Sequence, residues 1–241
     1  MANQLTYVGH ATVVIDLDGV RLITDPVLRQ RVLHLRRVGA IPPAALRGLD
    51  AVLLSHAHWD HLDLPSLERL GKELPIVCPG GLAALLRRKR FTRVTTLEVG
   101  EEVTIGALSV QAVHAEHDGS RGPLGAAGEL GFVITGSRTV YFAGDTDLFD
   151  DLASMGPVDA ALVPVAGWGS KVGPGHLDPE RAAEAVRRLQ PRVAIPIHWG
   201  TLAPIGRVPD LESPHEFARL LSELAPIVEV RVLEPGETLE L

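Results

Sequence analysis

The stretch "LLSHAHWDHLDL", residues 53–64, sets three histidines and two aspartates behind two leucines. Imidazoles this dense have no use in a packed core, where each ring nitrogen would need its own partner. Ala51 and Val52 extend the leucines into a short apolar run, so the histidines fall on the loop after a strand. In an extended segment residues i and i+2 point the same way, and His56 and His58 can therefore converge on one cation. Asp60 and His61 follow once the chain turns and can serve a second cation beside the first. Asp63 stands apart: ahead of Leu64-Pro65 it reads as the acidic cap of a helix.

Elsewhere the same placement recurs. His117 follows "VQAV" after a short step, Asp145 follows "TVYFA", and His198 follows "VAIPI", each just past an apolar strand-like run. Those connections are where α/β sheets usually hold their ligands. A single strand-end histidine is ordinarily a hydrogen-bonded structural residue, but a set made only of metal-competent side chains is not surface decoration. His56, His58, Asp60, His61, His117, Asp145 and His198 make seven candidate ligands. That is too many for one tetrahedral zinc and suits two metals sharing a bridging carboxylate.

Around these residues the chain alternates strands with helices. "LTYVGHATVVIDLDGVRLITD" reads as two β-rich runs joined at Asp18-Gly19, a hairpin signal. "LPSLERLGKEL" has helical spacing and is expected to end before Pro75; "PIVCPG" and "RVTTLEV" read as strands around the helix "GLAALLRRKR". Arg87 to Arg90 suit the C-terminal end of that helix, where cations meet the helix dipole. "LSVQAVHAEH" reads as a strand, "FVITGSRTVYFAGD" as a hairpin and "DAALVPVAG" as a buried strand. The helix "DPERAAEAVRRLQP", the strand "VAIPIHWG", the helix "SPHEFARLLSELAP" and the strand "IVEVRVLEPGETLEL" close the chain. No low-complexity linker divides it, so residues 1–241 are expected to form a single α/β domain.

Composition narrows the class. A net charge of −7 disfavours a nucleic-acid surface, which needs clustered Lys and Arg. Cys78 is the only cysteine, which excludes an intrachain disulfide and a cysteine zinc cage and leaves it as a small buried strand residue. The opening "MANQLTYVGH" lacks a signal-peptide pattern, and no apolar run reaches the ~18 residues of a membrane span. A soluble, cytoplasmic protein is the expectation.

"HAHWDH" fits the H-x-H-x-D-H signature of the metallo-β-lactamase superfamily, and His117, Asp145 and His198 follow in that family's order. The chain resembles that family over essentially its whole length, from "GHATVVI" to "HWG". The resemblance implies a four-layered αββα sandwich, two mixed β-sheets with flanking helices, around a dinuclear centre that is usually zinc, with Mn2+ or Fe2+ as alternatives. It implies that His56, His58 and His117 hold the first metal, that Asp60, His61 and His198 hold the second, and that Asp145 bridges. In "VHAEH" the ligand is then His117, with His114 behind the ligands rather than among them. Trp59 occupies a variable position and either lines the pocket or covers the metal loop, the latter being favoured.

Within the superfamily, "YVGHATVVIDLDGVRLITDPV", "FAGDTD", "GHLDPERAAEA" and "PIHWGT" resemble the branch of L-ascorbate-6-phosphate lactonases and N-acyl phosphatidylethanolamine-hydrolysing phospholipase D. There the segment like "GHLDPE" brings a histidine, here His176, close to the metals. His176 follows a Gly-rich loop and precedes a helix capped by Asp178-Pro179, a fitting place for a proton donor or an anion contact. Asp25 could accept a hydrogen bond from a ligand histidine's other nitrogen, or cap the turn before Pro26. His10 resembles a feature of the branch near the site, although Gly9-His10 also suits a purely local backbone need. Arg121 is a candidate clamp for an anionic substrate or an ordinary loop arginine.

The expected chemistry is hydrolysis of an ester-type bond (lactone, phosphodiester or thioester) by a hydroxide bridging the two metals. Asp60 would hold the nucleophile, and His176 or a metal-bound water would protonate the leaving group. Alternatives on the same scaffold are an iron-dependent sulfur dioxygenase, a nuclease and a non-catalytic binding protein; true β-lactamase activity is not expected. The substrate would be a small molecule or lipid-like. "LRQRVLHLRRVG", within residues 28–45, could be a lid, a lipid-facing patch or a dimer contact, which leaves homo-oligomerisation open.

Overall fold

From Gln4 to Thr24 the chain runs three strands rather than two: Gln4–Gly9, Thr12–Leu17 and Val20–Thr24. The expected turn at Asp18-Gly19 is present, both residues left-handed. The additional turn lies at Gly9-His10, with φ of +123° and +59°. A Cβ on Gly9 would stand 2.6 Å from the side chain of Thr201, so only glycine fits there. This computed structural model describes residues 3–118, 125, 127–167 and 173–241.

These strands join two seven-stranded mixed sheets. Across the first sheet the order is Thr238–Glu240, Gln4–Gly9, Thr12–Leu17, Val20–Thr24, Ala51–Leu53, Ile76–Pro79 and Val94–Leu97. The second runs Glu229–Val230, Val193–Ile197, Ala160–Pro164, Thr139–Phe142, Leu130–Thr135, Leu108–His114 and Glu102–Ile105. Both sheets are antiparallel on one side and parallel on the other. Alternation along each strand sorts residues to two faces. Tyr7, Val13, Leu22 and Leu53 turn into a core shared with Leu108, Val110, Phe132 and Phe142 of the other sheet. Val8, Val14, Ile23 and Val52 turn out beneath helices.

Those helices are α1 (Leu64–Leu70) and α2 (Ala83–Arg88) on the first sheet, and α3 (Pro179–Leu189) and α4 (Ser213–Leu224) on the second. Asp63 caps α1 by accepting the Ser66 N–H, and α1 stops at Gly71, φ +110°, ahead of the expected limit at Pro75. Asp178 caps α3 through the Arg181 N–H. The architecture is the αββα sandwich, two mixed sheets between helical layers. Among the described residues no helix is long and apolar enough to cross a membrane.

The last segment is not one strand: Glu229–Val230 joins the second sheet, and Thr238–Glu240 returns to pair with Gln4–Thr6. Pro235-Gly236 breaks it, with Gly236 at φ +101° donating its N–H to Tyr7 O at 2.7 Å. Residues 31–37 form a hairpin that pairs with Leu202–Pro204, and Val27, Val32, Leu35 and Leu202 make a small core of their own. Arg37 is buried there, with its guanidinium donating to Val8 O and Val27 O. This part of the segment therefore packs on its own chain.

Candidate metal centre

Strand Ala51–Leu53 runs parallel between two buried neighbours and releases the chain as a loop at the rim of the sandwich. Ser55 anchors that loop: its N–H donates to Asp25 Oδ1 (2.8 Å), its Oγ to Asp25 Oδ2 (2.5 Å), and its carbonyl accepts the Leu130 N–H. Gly144, just before Asp145, packs so tightly on Ser55 that a Cβ would lie 2.8 Å from the serine Cβ. Glycine there lets the loop after Thr139–Phe142 bring Asp145 beneath the histidine loop.

The candidate ligands meet at this rim. Asp145 Oδ2 lies 3.2 Å from His61 Nε2 and 3.8 Å from His56 Nε2, while Oδ1 lies 3.3 Å from His198 Nε2. Asp60 Oδ2 lies 3.4 Å from His198 Nε2 and 3.6 Å from His61 Nε2. His117 Nε2 faces His58 Nδ1 at 3.1 Å. Among the described residues two groups with no residue in common result, each with its ligand atoms within 4.8 Å of one another: His56, His58, His117 and Asp145, and His10, Asp60, His61 and His198; a third, Asp25, His56 and His61, overlaps both.

The far side of four rings is already committed. His56 Nδ1 donates to Ser55 Oγ (2.9 Å), His61 Nδ1 to Asp25 Oδ2 (2.7 Å), His117 Nδ1 to Gly175 O (2.6 Å) and His198 Nδ1 to Ala166 O (2.7 Å). A ring that donates from Nδ1 presents a lone pair at Nε2, so the protein fixes the tautomer that can ligate. Among the described residues, Nε2 of His56, His58, His61 and His198 and Oδ1 of Asp145 are buried without a hydrogen-bond partner. Orphaned buried polar atoms are costly. Nitrogen and carboxylate donors converging in this way fit divalent cations.

Electrostatics match. Burial lowers His56, and burial reinforced by His117 pulls His58 down to about 4. Burial would raise the carboxyls of Asp60 and Asp145, but the surrounding histidines outweigh it and hold both well below the usual carboxylate range. Burial likewise opposes protonation of His61 and His198, yet the carboxylates prevail and carry His198 up to about 9. Without a cation the carboxylates of Asp60 and Asp145 are balanced by protons held on His61 and His198, protons that a divalent ion would displace from the Nε2 atoms it takes.

The flanking residues divide. Asp25, buried after Val20–Thr24, receives His61 Nδ1 and the Ser55 loop. His10 donates Nε2–H to Asp60 Oδ2 at 2.8 Å, and burial beside His198 drives it down to about 3, so the ring is neutral. His10 and His198 are both left-handed; the His198 N–H donates to His10 O at 2.9 Å, and their rings lie 3.9 Å apart. His176 Nε2 lies 3.4 Å from Asp145 Oδ2, with its ring edge-on to His117. His114 is not brought in: at the outward-facing end of Leu108–His114 it pairs with Glu116 and lies on Phe149. Trp59 is 43% exposed and does not seal the loop. Arg121 lies outside the described residues. Ser55, Ala166 and Gly175 were not singled out from the sequence. Two act through backbone carbonyls, which leave no side-chain signature, although Ser55 adjoins the motif.

Comparison with known proteins agrees with this geometry. The profile of the beta-lactamase superfamily domain matches residues 20–199. A UPF0173 metal-dependent hydrolase of Methanopyrus kandleri is similar at 32% identity over 247 residues, covering 98% of this chain and 99% of that protein. N-acyl-phosphatidylethanolamine-hydrolyzing phospholipase D 1 of Caenorhabditis elegans is 32% identical over 225 residues, 81% of this chain and 63% of its own. The solved structure of Igni18, a metallo hydrolase from Ignicoccus hospitalis, superposes with a TM-score of 0.76 at 26% identity, covering 100% of this chain and 99% of that one. The chain belongs to the beta-lactamase superfamily, in the branch of its metal-dependent hydrolases.

Proposed function

We propose that the chain hydrolyses ester-type bonds with two divalent ions, zinc by preference, held where its two sheets meet. The observation that carries this reading is the set of buried, unpartnered Nε2 atoms whose rings are locked from behind. His56, His58 and His117 would hold one ion; Asp60, His61 and His198 the other. Asp145 would be shared, since its two oxygens already reach histidines of both groups. Bound there, the ions would ionise a water near neutral pH and polarise the scissile carbonyl or phosphoryl group.

The chain's own residues supply the rest. Asp60, kept ionised by the histidines and steadied by His10, orients the attacking water. His176, with its side chain 16% exposed beside Asp145, is placed to give a proton to the leaving group. Imidazole and carboxylate without thiolate suit zinc and also admit Mn2+ or Fe2+. The substrate in the worm relative's name, an N-acyl-phosphatidylethanolamine, contains a phosphodiester, so phosphodiesters rank first, ahead of lactones and thioesters. A small or lipid-like substrate and a cytoplasmic setting belong to the same reading, the latter in keeping with one buried cysteine.

Elemental analysis joined to a hydrolysis screen tests it. About two ions per chain are expected, with turnover lost on chelation and restored by zinc. Inactivity towards phosphodiesters, lactones, thioesters and phospholipids alike, with zinc, manganese and iron each supplied, would sink the proposal. About one iron per chain, with oxygen consumed on a persulfide, would replace it with the dioxygenase.

A further inference from the structure

Two residues beyond Asp145, Asp147 sits at a junction of three segments. Its N–H donates to Glu116 O at 2.7 Å, tying it to the residue before His117. Its Oδ2 accepts the Gly175 N–H at 3.2 Å, and its Oδ1 accepts the Leu148 N–H at 2.5 Å and pairs with Nη2 of Arg181 in the first turn of α3. Gly175 in turn accepts the His117 Nδ1–H on its carbonyl at 2.6 Å and carries His176 next to it. Contact is close enough that a Cβ on Gly175, φ +80°, would meet His117 Nδ1 at 3.1 Å.

We propose that Asp147, held by Arg181, is the positioning residue that sets the tautomer and aim of His117, acting through Gly175. The N–H and the carbonyl of Gly175 belong to the peptide planes on either side of its Cα, so with the first plane gripped at its N–H the second can turn only about the glycine's own φ and ψ. Asp147 supplies that grip, and the carbonyl of the same glycine locks His117 with Nε2 facing His58. Because His176 is the next residue, the same carboxylate places its ring between Asp145 and His117. The group containing His61 and His198 is locked by Asp25 and Ala166 instead, whereas the hydrogen bonds and ion pair of Asp147 go to Glu116, Leu148, Gly175 and Arg181. The effect should therefore fall on one half of the centre.

This inference rests on the two-ion reading, and the test separates the two. Metal-free full-length chain is titrated with Co2+ while the visible absorption of the bound ion is followed. His117→Ala marks the step that belongs to its group, and His198→Ala marks the other. Asp147→Ala should weaken the His117 step by about 10- to 100-fold and leave the His198 step unchanged. Asp147→Asn, which keeps one acceptor oxygen, and Arg181→Ala should weaken the same step less, and Arg181→Lys should restore it. If Asp147→Ala does not fold, Asp147→Asn and Arg181→Ala carry the test.

Both steps unchanged in folded variants would overturn the proposal. So would an equal weakening of both alongside a lower melting temperature, the mark of a merely structural role. Should the native chain bind a single Co2+, the two-ion reading falls, and Asp147 is then judged on whether its loss weakens that ion as His117→Ala does.

Discussion

The two halves of the centre differ in depth. His10, Asp60, His61 and His198 are all 2% exposed or less, whereas His58 and His117 in the other half are only partly buried. The inner half is built as part of the core: its rings stack on one another and its acids are screened from water by histidines. The outer half hangs from loops, with His176 and the exposed Trp59 beside it. Solvent therefore reaches His58 and His117, whereas every member of the inner half is shut away from it. That contrast can be broken by experiment.

Asp145 belongs to both halves, so Asp145→Ala should have the largest effect. Turnover of bis(p-nitrophenyl) phosphate by the zinc-loaded protein should fall on the order of a thousandfold, the several kcal/mol of charge stabilisation that metal catalysis supplies. Retention of both ions with near-native turnover would remove Asp145 from the centre. Next come His61→Ala and His58→Ala, both of which should abolish metal-dependent turnover while differing in stability. Losing His61 strands the carboxylates of Asp25, Asp60 and Asp145 in the interior, costing about 3–5 kcal/mol. Loss of His58 should cost about 1 kcal/mol, since its ring is partly solvated. Equal losses in chemical denaturation would erase the distinction between the halves.

Chelation should expose, above neutral pH, a pH dependence that belongs to the inner half. In metal-free protein the carboxylates hold a proton on His198 up to about 9, above the ~6.5 of an unfolded imidazole. A raised pKa stabilises fully below the unfolded value and is lost as pH rises through the folded one. Stability on the order of 3 kcal/mol should thus disappear between about pH 7 and 10 in the chelated form but not with zinc bound. Burial also lifts the Cys78 thiol to about 12, but that group titrates in both forms and cancels in the difference. Parallel melting curves across that range would show that metal and proton do not compete there. The smallest effect belongs to Trp59→Ala, with stability altered by less than about 1 kcal/mol and any change confined to KM.

The outer and inner halves were not equally legible in the sequence. The H-x-H-x-D-H run and the later strand-end residues declare the ligands, because side-chain type and period carry that information. What holds the ligands does not show. Gly175 and Ala166 act through carbonyls that any residue possesses, and the Gly9-His10 turn hides inside a run of uniformly β-forming residues. The break in the last strand does not show, because pairing back to Gln4–Thr6 is a long-range event with no local signal. His114 lies three residues from His117, a spacing that suggests a place behind the ligands. Strand alternation instead turns it outward to Glu116.

The left-handed backbones of His10 and His198 have a consequence for how this centre should be dissected. An L-residue with a Cβ resists that conformation by roughly 1–2 kcal/mol, and glycine or asparagine resists it least. Histidine already bears that cost at positions 10 and 198, so alanine there reports chiefly the missing imidazole. Glycine and asparagine variants would relieve the main chain as well: whatever alanine loses beyond glycine measures the strain that the native peptide carries.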